Sequence, residues 1–92
     1  MEAKNVCEKI AEYNGWCALS VSAVDSDGYP NSLDQVMRAV KRKVDHSLEL
    51  RLKFLNTMRE VCGQPCSDYK MLMATPKQFA EGLLRTLGDW KG

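Results

Sequence analysis

Between Ser32 and Gly63 the chain runs for 30 residues without a proline or a glycine. Those two residues end helices most readily, so a long helix is the natural conformation for such a run. Leu33, Met37, Val40, Val44, Leu48, Leu52, Leu55, Met58 and Cys62 recur at three- and four-residue steps along it. That period places all of them on one face of a helix. Ser32 suits the N-cap, with Asp34 in the first turn and Gln35 at the position that closes a capping box. Gly63 suits the C-terminal stop. One continuous helix over about 33–62 is predicted, about 45 Å long at about 1.5 Å per residue. Leu33, Met37, Val40, Val44, Leu48, Leu52 and Leu55 are predicted to be buried along it. A rival reading breaks the run at Asp45-His46-Ser47, with Ser47 capping a second helix. Continuity is preferred, because the stripe passes positions 44 and 48 in phase.

Shorter elements pack this spine. Residues 2–14 read as an amphipathic helix with Ala3, Val6, Cys7, Ile10 and Ala11 on one face, stopped at Asn14-Gly15. Thr75-Pro76-Lys77-Gln78 is a strong helix start: threonine caps, proline occupies the first helical position, and glutamine closes the box. The helix it opens, 76–87, carries Phe79, Leu83, Leu84 and Leu87 on one face and ends at Gly88. Trp90 is placed to fold back on its last turn. Residues 25–31 and 64–68 read as loops. The segments 16–24 and 69–74 read either as strands or as helical turns. The expected class is mainly α, with a long central helix packed by helices 2–14 and 76–87. A small β element, 17–23 paired with 69–74, stays open and would make the fold α+β. Residues 1–92 are read as a single domain.

Size and charge limit the function. A chain of 92 residues has little wall with which to enclose a substrate. A binding role is therefore expected over an enzyme, with no catalytic residues, cofactor or small-molecule substrate. Thirteen Lys and Arg against 12 Asp and Glu give a net charge of +1, which suits neither a histone-like binder nor an acidic mimic of DNA. No apolar run of about 18 residues is present, so no membrane span is expected. The first residues lead into a charged segment and not an apolar leader core, which points to the cytoplasm.

Among reactive residues, Cys7, Cys17, Cys62 and Cys66 lack the paired close spacing of a zinc knuckle. They are read as packed or free thiols, with no metal site. His46, the single histidine, falls opposite the apolar stripe and is read as solvated. Asp25, Asp27 and Gly28 lack the remaining ligands of a calcium loop and form a polar turn.

The basic residues point further. Arg38, Lys41, Arg42, Lys43, Arg51, Lys53 and Arg59 stand against only Asp45 and Glu49 between positions 38 and 59. On a continuous helix, Arg38, Arg42 and Lys53 face away from the apolar stripe, flanked by Lys41 and Lys43. A solvated helix face is one reading of this row. The other is a track for phosphates or for an acidic protein surface, where guanidinium groups bind oxyanions two bonds at a time. Tyr29, between Gly28 and Pro30, is expected to be an exposed anchor on its loop. The partner-binding set is therefore Arg38, Lys41, Arg42, Lys43, Lys53 and Tyr29.

The segment ATPKQFAEGLLRTLGDWKG, residues 74–92, resembles the C-terminal segment of small proteins encoded by phages and prophages of enteric bacteria. Thr75, Pro76, Gln78, Ala80, Glu81, Leu84, Arg85, Leu87, Gly88 and Trp90 carry the resemblance. Within that group, the anti-CRISPR inhibitors of type I-F surveillance complexes fit the size of the chain. The resemblance implies a protein of the bacterial host cytoplasm that binds a multi-subunit protein–RNA complex. It further implies contact with exposed guide RNA or with acidic pockets on the complex, and a block on target hybridisation. A phage regulator that binds nucleic acid directly through the basic helix is the alternative.

Overall fold

The structure, a computed structural model, describes residues 2–63 and 68–90, except for the side chain of Asp68. It contains α1 (Ala3–Tyr13), a 3-10 turn (Val21–Ala23), α2 (Leu33–Val44), α3 (Leu48–Cys62), α4 (Asp68–Leu72) and α5 (Pro76–Leu87). The class is mainly α, as expected. The small β element is not found: among the described residues there is no strand, only an isolated bridge between Val24 and Pro30. Residues 21–23 form the 3-10 turn instead. In 69–74, Met71 and Ala74 pack inward while Tyr69, Leu72 and Met73 are exposed. That is a helical spacing and not the alternation of a strand. Cys66 and most of the 64–68 loop lie outside the described residues.

The single long helix is overturned as well. The run breaks at Asp45-His46-Ser47, as the rival reading had it. Ser47 is extended (φ −135, ψ 124) and its hydroxyl accepts a hydrogen bond from the Leu50 amide. The described residues extend 33 Å along their longest axis, less than one unbroken helix would need. The break changes the face that α3 buries. Phe54, Met58 and Cys62 point into the core, whereas Leu48, Leu52 and Leu55 are exposed. On α2 the buried residues are Val36, Ala39, Val40 and Val44, and Leu33 and Met37 are exposed. Of the seven residues predicted to be buried, only Val40 and Val44 are.

The centre of the molecule is α5. Ala80, Gly82, Leu83, Leu84 and Thr86 are all buried on it, and α1, α2 and α3 pack against it. Its start follows the expected capping box: Thr75 Oγ1 accepts from the Gln78 amide at 3.2 Å, and Gln78 Oε1 accepts from the Thr75 amide at 2.9 Å. The one buried hydroxyl on its inner face is satisfied locally, since Thr86 Oγ1 donates to the Gly82 carbonyl at 2.7 Å. Trp90 folds back as expected, its amide donating to the Leu84 carbonyl and the Arg85 guanidinium lying over its ring. The core joins Val6, Ile10 and Tyr13 of α1 to Val36, Val40, Phe54, Met58, Leu83 and Leu84.

Candidate nucleic-acid interface

The site begins where α1 ends. Gly15 takes a positive φ of 75°, and two hydrogen bonds close the helix. The Gly15 amide donates to the Glu12 carbonyl at 3.0 Å, and the Trp16 amide donates to the Ala11 carbonyl at 2.9 Å. This pattern satisfies the orphan carbonyls of the last turn and fixes the direction in which the chain leaves it. It fixes the backbone of Trp16 with it, a residue that remains 38% exposed. Asn14, one residue before the glycine, is buried, and its Nδ2 donates to the Gln35 carbonyl at 3.0 Å. Gln35 in turn donates through Nε2 to Ser20 Oγ at 3.1 Å. These bonds tie the end of α1 and the following segment to the first turn of α2.

Across from Trp16, one side of α2 presents Arg38, Lys41 and Arg42, all exposed. Together with Asn14 and Trp16 they line a shallow cleft of about 410 Å³. Arg38 Nε lies 3.3 Å from Asp34 Oδ2, with both side chains mostly in solvent. Such a surface pair holds its partner weakly. Lys41 and Arg42 have no acidic partner among the described residues. Behind the cleft, Asn14 Oδ1 and Gln35 Oε1 are buried and have no hydrogen-bond partner among the described residues.

The predicted set divides. Arg38, Lys41 and Arg42 do share one surface. Lys43 projects from the same helix toward α1, its Nζ 5.7 Å from the centre of the Tyr13 ring. Lys53 does not belong with them: the break at 45–47 puts it on α3, and it is absent from the cleft. Tyr29 is not an exposed anchor. The Asp25 carboxylate accepts from the Asp27 and Tyr29 amides, both at 2.9 Å, and so folds the loop inward. Tyr29 packs against the core, with Lys77 Nζ 3.9 Å above its ring. It lines a different cleft, with Val6, Glu81 and Trp90. Sequence reasoning missed Trp16 and Asn14 as site residues. The signal was present in Asn14-Gly15-Trp16, because the residue after a helix-ending glycine is held rigidly.

Cys7 and Cys17 line a third cleft. Cys7 Sγ donates to the Gly28 carbonyl at 3.0 Å. Burial pushes its thiol above the usual range, and the charge of Asp25 adds to the effect. A thiol held protonated in this way is a poor nucleophile and a poor metal ligand. His46 is exposed at the α2–α3 break. No helix among the described residues is long and apolar enough to cross a membrane. No family model, curated protein or solved structure matches this chain.

Proposed function

We propose that this chain is a small phage-type inhibitor that binds a host protein–RNA complex without catalysis. The basic side of α2 lies along RNA exposed in that complex, and occupancy there blocks pairing with target nucleic acid. The CRISPR surveillance complex of type I-F is the partner to which the resemblance of residues 74–92 points.

One observation supports a nucleoprotein over free nucleic acid. Arg38, Lys41 and Arg42 share α2 with the exposed apolar residues Leu33 and Met37. Cations alone serve a phosphate backbone, whose binding weakens steeply with salt. Exposed apolar side chains beside them suit a protein surface as well, because apolar anchors supply binding energy that salt does not screen. The test is capture of the complex from bacterial lysate, with and without nuclease, followed by an assay of target-DNA binding by the captured complex. Recovery of the complex in both arms, with target binding lost, is the expected result. Loss of all capture after nuclease would replace this reading with direct binding of nucleic acid.

A further inference from the structure

We propose that the cleft between the end of α1 and α2 takes one unstacked nucleotide of a single strand. Its base lies on Trp16 and its phosphate meets Arg42, with Lys41 and Arg38 beside it. The inference deepens the proposed function and rests on that reading for its biological partner. Three observations lead to it. Trp16, a residue 38% exposed, lines the cleft and offers an aromatic surface to a planar group, and base–aromatic stacking tolerates any base. Two cations without acidic partners line the same cleft, and Arg38 is held only by a solvated pair. The cleft, about 410 Å³, falls within the size range of small-ligand sites, about 300–1,000 Å³. A bare oxyanion leaves the ring unused. A paired base in a duplex cannot reach a side-chain ring without leaving its stack, so the ligand is a single strand.

The geometry has a rigid basis. The bond from the Trp16 amide to the Ala11 carbonyl fixes the backbone that carries the ring, and the bond from Asn14 to the Gln35 carbonyl ties that segment to α2 before any ligand arrives. A preformed site spends less of its binding energy on ordering.

The experiment uses the full chain with Trp90→Phe, so that Trp16 is the one emitter. Short single-stranded oligo(U), oligo(dT), a duplex of the same length, uridine monophosphate and inorganic phosphate are titrated separately. Saturable quenching by the single strands, weak or absent with duplex and phosphate, is expected. A comparison of oligo(U) with oligo(dT) shows whether the ribose hydroxyl is read. By anisotropy with a labelled strand, Trp16→Ala should weaken binding about tenfold, Trp16→Phe should keep most of it, and Arg42→Gln should weaken it about tenfold. Circular dichroism checks that each variant is folded. Quenching by phosphate as strong as by oligonucleotide would overturn the inference, as would wild-type affinity in Trp16→Ala. The complex-capture assay separates the two claims. If Trp16→Ala still captures the complex while the oligonucleotide titrations are flat, the nucleotide cleft is wrong and the proposed function stands. If oligonucleotides bind through Trp16 but no complex is captured, the cleft stands and the proposed function falls.

Discussion

Tyr13 shows how single residues hold this small fold together. It is buried at the end of α1, and its hydroxyl donates to the Asp89 carboxylate, 76 positions along the chain. Asp89 follows the left-handed Gly88 that ends α5, so one bond links the ends of the first and the central helix. Burial chiefly, then the bond to Asp89 and the charges of Asp89 and Glu12, holds the Tyr13 phenol well above its ordinary range. The folded state therefore keeps a proton that the unfolded chain releases near pH 10. The stability linked to this group is fully present below that pH and is lost as pH rises above it. Wild-type protein should lose stability between about pH 9.5 and 11, and Tyr13→Phe should lose less over the same interval. Denaturant midpoints measured across that range check this; parallel curves for the two proteins would count against it. At neutral pH, Tyr13→Phe should cost about 1.5 kcal/mol, the usual loss for a hydrogen bond to a charged group. None of this was legible in the sequence. Tyr13 and Asp89 are ordinary residues of a helix end and a tail, and only folding brings them together. Arg38, Lys41 and Arg42 were legible, because a spacing of three or four within one helix survives any tertiary arrangement. Lys53 was misassigned because its placement depended on helix continuity across the break.

At the scale of elements, the break after α2 is the largest departure from the sequence pattern. Positions 33–62 carry more apolar residues than one face needs. Leu50, Phe54, Met58 and Cys62 make one stripe on α3; Leu48, Leu52 and Leu55 make another. Periodicity alone cannot choose between them, and the second is the one in phase with Val40 and Val44. The choice falls to packing against α5, where Gly82 leaves room. A Cβ at Gly82 would collide with Met58 Sδ and lie 3.5 Å from Phe54 Cε2. Met58 is fully buried and has little freedom to yield. Gly82→Ala should gain about 1 kcal/mol of helix propensity and lose more through overpacking. A net loss of about 1–2 kcal/mol is expected by urea unfolding. In the Met58→Ala background the same change should cost less, because the two sites share one space. Equal costs in both backgrounds would show that α3 and α5 do not approach as described. Ser47 has its own signature. Ser47→Ala removes the cap of α3 and should cost about 1 kcal/mol, while in an unbroken helix the same change would stabilise the protein. By contrast, the capping box of α5 was fully readable, because all its atoms come from Thr75 and Gln78.

Over the whole molecule, charge and apolar surface are distributed unevenly. The core is small, and α3 keeps Leu48, Leu52 and Leu55 in solvent while α4 keeps Tyr69, Leu72 and Met73 there. Arg38, Lys41 and Arg42 of α2 are exposed and are not among the core residues, so the fold can be separated from binding by substitution. Arg38→Glu with Arg42→Glu removes two cations from one cleft and adds two anions. Arg38 contributes only a solvated pair with Asp34 to the folded state, and exposed changes of this kind shift stability by about 0.5 kcal/mol or less. The melting temperature should therefore stay within a few degrees of wild type. Binding to an RNA-containing partner should fall at least tenfold, because each charge-assisted bond to phosphate is worth about 1.5–3 kcal/mol. Lys53→Glu supplies the control. It changes the net charge in the same direction but lies on α3, away from the cleft, so its effect should be no more than about twofold to threefold at moderate salt, where distant exposed charges are screened. Equal losses from Lys53→Glu and from the double reversal would mean that the partner senses overall charge and not the α2 surface. Unchanged binding in the double reversal would mean that the row on α2 is solvated and idle, and the interface would have to be sought on the apolar surface of α3 and α4.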